Sequence, residues 1–195
     1  MKNVRVLVIG SPGAGKTSIL NGLGDKSGFD IVTLGTLMQK YAAQTKQLED
    51  RDRLRYIKIT ETDEIRNKAL GEIKAMKANV IIDTHATVER KGRFIAGLPL
   101  KALESIGNLA GIIYIDATTE EIIQRRERDA GKRNREIEKP DVLDAQRIIN
   151  LSMLAFYNLY LNIPIYSLHN EEGQLERSIE RLKYYLEDIL NEATQ

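Results

Sequence analysis

Gly10-Ser11-Pro12-Gly13-Ala14-Gly15-Lys16-Thr17, "GSPGAGKT", follows the apolar run "VRVLVI" of residues 4–9 and precedes "SILNGL", which opens like a helix. The spacing G-x-x-x-x-G-K-[ST] places glycines where the backbone must turn so that its N–H groups converge on an anion. The helix beginning near Ser18 adds the positive end of its dipole. In such a loop Lys16 reaches the β- and γ-phosphates of a nucleotide, and the Thr17 hydroxyl ligates Mg²⁺. The plainer alternative is an ordinary glycine-rich turn between strand and helix. Strand, loop and helix nevertheless stand in the order that phosphate binding needs.

Four further strand-like runs follow: "FDIVTL" (29–34), "NVIIDT" (79–84), "GIIYID" (111–116) and "PIYSLH" (164–169). The runs at 4–9, 79–84 and 111–116 are nearly unbroken apolar stretches rich in β-branched residues, which suits strands covered on both faces. Alternation with helical segments implies an α/β three-layer sandwich. "TETD" from Thr60 and "TTEE" from Thr118 are capping-box patterns. Leu175, Ile179, Leu182, Leu186 and Ile189 recur at helical spacing and predict one face packed on the sheet.

The 195 residues suit a single domain, 1–195, large enough to bury roughly 70% of its unfolded surface. With 29 basic and 28 acidic residues the formal charge is +1, which gives no general attraction to nucleic acid or an acidic membrane. The absence of cysteine excludes disulfides and Cys-ligated zinc, and leaves oxygen-ligated ions open. The short apolar run behind Lys2 and Arg5 is followed by a loop, not by a small-residue cleavage site, so the expected location is cytoplasmic.

Asp83 ends a predicted strand, where open α/β sheets place their ligands, and can hold the water shell of Mg²⁺. A cap on the next turn is its simpler role. His85 suits a structural or substrate-orienting role better than ligation of Mg²⁺. The segment "RRERDAGKRNREIEKPD" (125–141) carries Arg125, Arg126, Arg128, Lys132, Arg133 and Arg135 before Pro140. It reads as a solvated, salt-bridged helix end, as a nucleic-acid patch, or as a closing segment whose arginines stabilise a transferring phosphoryl group. Arg51, Arg53 and Arg55 could likewise clamp a second phosphate. A GTPase is disfavoured, because Asp83 is followed by Thr84-His85-Ala86 and "NKAL" at Asn67 lacks the guanine-reading Asp.

Taken in order, the P-loop, "GTLM" (35–38), "DRDRLR" (50–55), "DTHA" (83–86), "GLP" (97–99) and "RR..D...RNR" (125–135) resemble the archaeal adenylate kinases. The resemblance implies reversible transfer of the γ-phosphoryl of Mg·ATP to AMP, giving two ADP, with Mg²⁺ as cofactor. It also implies a five-stranded parallel sheet in the order 2-3-1-4-5, an acceptor-binding segment at about 35–78, a short lid at about 126–141, and a homo-oligomer, often a trimer. Gly10, Ser11, Pro12, Gly13, Ala14, Gly15, Lys16, Thr17 and Ser18 would hold ATP. Gly35, Thr36, Arg55, His85 and Gly97 would hold AMP; Thr17 and Asp83 would serve the metal. Arg125, Arg133 and Arg135 would join Lys16 on the transferring group, and the loop from His169 to Gly173 would seat the adenine of ATP.

The chain departs from the family in "ERKGRFIAGLP" (89–99), where Arg90 and Arg93 are new charges and Phe94 stands for the usual Tyr. It departs again after Asn150, where some relatives carry an Arg but "LSML" (151–154) follows here, so either Arg147 takes that part or the contact is lost. A kinase for another nucleotide or a small metabolite, and an ATP-responsive binding or assembly factor, are the competing readings. The apolar stretch "LSMLAFYNLYL" (151–161) suits either core or a subunit interface.

Overall fold

The computed structural model describes residues 3–24, 27–46, 59–90, 92–129 and 139–193. Strand β1 (Arg5–Gly10) leads to helix α1 (Lys16–Leu23), and β2 (Phe29–Thr33) passes directly into α2 (Leu34–Lys46). Helix α3 (Ile59–Ala75) returns the chain to β3 (Asn79–Thr84); the hairpin β4 (Thr87–Arg90) and β5 (Arg93–Ala96) then precedes α4 (Leu100–Ile106). The order continues β6 (Leu109–Asp116), α5 (Thr119–Asp129), α6 (Pro140–Leu161), β7 (Ile165–His169) and α7 (Leu175–Ala193).

Five strands pair in parallel in the order β2-β3-β1-β6-β7. Without the hairpin strands this is the expected 2-3-1-4-5 order. Alternation along β1 builds the layers. Leu7 and Ile9 enter a core shared with α2, α3, α4 and α6, whereas Val6 and Val8 enter one shared with α1 and α7. All four are completely buried, which explains why a central parallel strand reads as a continuous apolar run.

Local signals met mixed outcomes. The Thr118 box forms: the Thr118 N–H donates to Glu121 Oε2 (2.8 Å), and the Glu121 N–H donates to Thr118 Oγ1 (3.2 Å). The Thr60 box does not. Helix α3 already begins at Ile59, and Asp63 pairs forward with Arg66. The packed stripe of α7 begins at Ser178 and continues through Leu182, Leu186 and Ile189, while Leu175 at the helix start is exposed. Pro140 opens α6 at its first turn, where a missing N–H costs nothing.

The β4–β5 hairpin was not expected, because the charges of "ERKGR" hide its alternation. Gly92, at φ 75°, supplies the left-handed residue its tight turn needs. Helix α6 is two-faced: Leu143, Leu154 and Tyr157 are buried, whereas Ile148, Leu151, Phe156, Leu159 and Tyr160 face outward. Among the described residues no helix is long and apolar enough to cross a membrane.

Candidate active site

The parallel strands deliver Gly10, Asp83, Asp116 and His169 to one edge of the sheet, at or near their carboxyl ends. Between β1 and α1 the chain turns through Gly13 (φ 100°) and Gly15 (φ 86°), a backbone that other residues rarely adopt. Gly10 has no room for a side chain, since a Cβ would come 2.6 Å from the Ile115 carbonyl oxygen.

Side chains from distant elements hold the loop. Asn170 Nδ2 donates to the Ala14 carbonyl (2.9 Å), and Asn170 Oδ1 accepts from Ser178 Oγ (3.0 Å). Arg126 Nη2 donates to the Pro12 carbonyl (2.8 Å). Ser11 Oγ accepts from Asn150 Nδ2 (3.3 Å), whose Oδ1 accepts from Thr87 Oγ1 (2.6 Å). Tying down carbonyls in this way suits a loop whose N–H groups serve an anion.

Lys16 begins α1 and forms a buried ion pair with Asp83, whose other carboxylate oxygen accepts from Thr33 Oγ1 at 3.1 Å. Thr17 and Ser18 follow on the exposed side of the first helical turn. His85 Nδ1 lies 3.1 Å from the Gly10 carbonyl oxygen. A carbonyl only accepts, so this nitrogen carries the proton and His85 braces the strand end. The Gly97 N–H donates to the Ala86 carbonyl (2.7 Å), and a side chain there would overlap the His85 backbone.

Gly35 and Thr36 lie in the first turn of α2, because β2 stops at Thr33, one residue before the expected strand end. Arg51, Arg53, Arg55, Lys132, Arg133 and Arg135 lie outside the described residues, as does most of the expected lid. Arg125 and Arg126 occupy the end of α5, so the basic segment starts as helix. Arg125 Nη2 donates to the Asn170 carbonyl (2.7 Å) and Nε to Glu172 (3.0 Å), while its buried Nη1 has no partner and lies beside Gly15. Hydrogen bonds from Arg128 and Arg125 hold the Glu172 carboxyl below the usual range. His169 Nε2 stands 3.5 Å from Glu121, beside a shallow cavity of about 190 Å³ lined in part by Ser167, Gln174, Arg177 and Arg181.

Sequence spacing did not reveal Asp116 or Asn150, and Asn170 entered only as part of the loop from His169 to Gly173, with no hint of its grip on Ala14. Asp116 carried one legible signal, its position at a strand end like that of Asp83. It is buried and gripped by Arg147 through Nε and Nη2, which strengthens the proton hold of that guanidinium further. Burial, with Asp116 nearby, pushes the Tyr114 hydroxyl up to about 12.

No cluster of three or more His, Cys, Asp or Glu among the described residues could cage a metal. Magnesium carried by a nucleotide does not need one: one or two protein oxygens complete a shell of phosphates and water. The Thr17 hydroxyl and the Asp83 carboxylate are the hard oxygen donors that fit such an ion.

A 2-3-1-4-5 parallel sheet whose first strand feeds a glycine loop and a buried lysine defines a P-loop kinase fold. The family described as "AAA domain" matches residues 9–144. The chain is 30% identical over 175 residues to adenylate kinase of Thermoplasma acidophilum, covering 90% of this chain and 94% of that protein. It is 31% identical over 189 residues to adenylate kinase of Methanoculleus marisnigri, covering 93% and 97%. Shikimate kinase from Bacteroides thetaiotaomicron shares the fold, with a TM-score of 0.60 at 19% identity over 94% of this chain and 98% of that one. The chain belongs to the archaeal adenylate kinase family of P-loop kinases. It is thus a nucleotide-binding transferase of the nucleoside monophosphate kinase class.

Proposed function

We propose that the protein is an adenylate kinase, transferring the γ-phosphoryl of Mg·ATP to AMP and, in reverse, forming ATP and AMP from two ADP. The observation that carries this is the buried Lys16–Asp83 pair under the glycine loop, within a chain of this family. Lys16 exchanges Asp83 for the β- and γ-phosphates when ATP enters. Thr17 and Asp83 would hold the magnesium that ATP brings, and Ser18 would stand with the loop on the phosphates. Magnesium bound with ATP supplies charge neutralisation on the phosphates.

The acceptor phosphate is already mostly dianionic at neutral pH, so no general base is required. Rate comes from alignment and from cations aimed at the moving phosphoryl: Lys16, Arg125 through its unpartnered Nη1, and Arg133 and Arg135 of a lid at about 126–141. Gly35, Thr36, Arg55, His85 and Gly97 form the AMP side within and after the segment at about 35–78. The Asn170–Glu172 stretch, held by Arg125, supports adenine nearby. The single domain works in the cytoplasm as a homo-oligomer, a trimer, assembled through the outward apolar face of α6.

A second reading keeps the kinase and changes the acceptor. The hairpin that brings Arg90 into register with Arg93 favours it, because it pairs two basic residues that the family pattern lacks in the segment leading to the Gly97–Pro99 turn. Phosphoryl transfer from Mg·ATP to AMP, CMP, UMP, GMP and no acceptor, with products resolved directly, decides. Rapid ADP formation with AMP, reversible from ADP alone, is the expected outcome. Transfer to another acceptor establishes the second reading, and slow hydrolysis indifferent to acceptor leaves an ATP-responsive binding protein.

A further inference from the structure

Arg66 lies on the inward stripe of α3, with Thr62, Ile65, Ala69 and Ile73 buried along the same side. Its side chain is 7% exposed, and its one described ion pair runs to Asp63, which is 45% exposed and well solvated. Its Nε is buried without a hydrogen-bond partner. A buried guanidinium half-served by a surface carboxylate is costly to maintain, and an unpaired N–H within it calls for an explanation.

The other buried arginine away from the nucleotide loop is differently equipped. Arg5 Nε is also buried without a partner, but Arg5 spends both Nη atoms on the Val4, Ala78, Ile73 and Met76 carbonyls, closing the carboxyl end of α3 at the opposite edge of the sheet. Arg66 has no such duty. Helix α3 runs antiparallel to β3, which follows it, so its N-terminal turns lie at the edge that carries the glycine loop. Helical side chains lean toward the helix N-terminus, and Arg66 therefore extends toward that edge. Its charge is felt by Tyr157, whose buried hydroxyl donates to the Leu98 carbonyl (2.7 Å) in the Gly97–Pro99 turn.

We propose that Arg66 is a specificity-determining residue that receives an oxyanion of the acceptor on its open Nε–H, with Asp63 as a counter-ion that the acceptor displaces or shares. This rests on the phosphoryl-transfer reading above and adds to it a binding group that the P-loop, lid and "DRDRLR" motifs do not contain. The guanidinium edge accepts a phosphate or a carboxylate alike, in forked geometry.

The Arg66 Nε–H resonance, assigned by its loss in Arg66→Gln, is followed by NMR in the full-length protein during titration with AMP, adenosine, inorganic phosphate and acetate. AMP is expected to shift it and adenosine to leave it in place. In Arg66→Gln, calorimetric AMP affinity falls about tenfold or more while adenosine affinity stays within about twofold, as expected for loss of one charge-assisted hydrogen bond. Arg66→Lys, which keeps the charge and loses the fork, falls between the two. A shift with phosphate or acetate but none with AMP keeps the anion role and removes the nucleotide acceptor. A resonance unmoved by every anion, or equal weakening of AMP and adenosine in the variant, overturns the proposal.

Discussion

Arg147 holds Asp116 by a fork: its Nε lies 2.9 Å and its Nη2 2.5 Å from the same carboxylate oxygen, with Nε 3.0 Å from the other. The pair joins the end of β6 to α6 at the edge of the nucleotide site. Arg147→Ala leaves a buried carboxylate whose nearest remaining hydrogen bond is the 3.4 Å contact from the Tyr114 hydroxyl. Arg147 is 41% exposed, so water screens part of the interaction, and the expected loss is about 1–3 kcal/mol. Arg147→Lys recovers less than half of it, because an ammonium cannot fork. Urea unfolding of the three proteins checks the order.

Lys16→Ala is expected to reduce phosphoryl transfer by at least about a thousandfold, since a cation on the transferring group is lost. It also removes the partner of buried Asp83, so the fold weakens by about 3 kcal/mol. Adding Asp83→Asn restores the melting temperature but not turnover. Rescue of both by the double change would mean that Lys16 acts only as a structural partner.

Gly15→Ala places a Cβ against Asn170 Nδ2 at a residue with φ 86°. Overlap and left-handed strain together cost about 2 kcal/mol or more. The Ala14–Asn170 hydrogen bond is the contact that must yield. ATP affinity therefore drops alongside stability, measurable by calorimetry on folded protein at low temperature.

Burial pushes both Tyr114 and Tyr157 up to about 12. A folded-state pKa above the unfolded value stabilises the native state fully below pH of about 10, and this is lost as pH rises toward 12. Burial likewise raises the Tyr166 hydroxyl, so phenolate absorbance should show a late component, from Tyr114, Tyr157 and Tyr166, that appears as the fold is lost. Tyr114→Phe removes one delayed ionisation and shifts the alkaline unfolding midpoint upward.

Leu159, the most exposed large apolar residue of α6 at 81%, lies with Ile148, Leu151 and Phe156 on its outward side. If this face joins subunits, Leu159→Glu converts the oligomer to monomers in sedimentation experiments. Unchanged mass in the variant assigns the interface elsewhere.

The central sheet was legible because β1, β3 and β6 are covered on both faces, and solvent therefore imposes no polar alternation on them. The hairpin was not, because the run "ERKGR" (89–93) is dominated by charged residues and shows no apolar alternation. Within the site, the glycine loop was legible through spacing and Asp83 through its place at a strand end. Asn150, Asn170 and Arg66 were opaque, since a polar residue in a helix or after a strand shows no local sign of what it meets in space. The Thr60 pattern failed for a related reason: its acid found Arg66 three residues ahead instead of the N–H behind.

The Ala14–Asn170 bond spans 156 residues and depends in turn on Ser178. During synthesis at about 5–20 residues per second, roughly 8–30 seconds separate the appearance of the loop from that of its clasp. The glycine loop leaves the ribosome well before Asn170 and Ser178, and this clasp cannot reach it until both have emerged. The glycine loop is thus fully braced only after the start of α7 has been made and docked, so its final shape is a late product of synthesis.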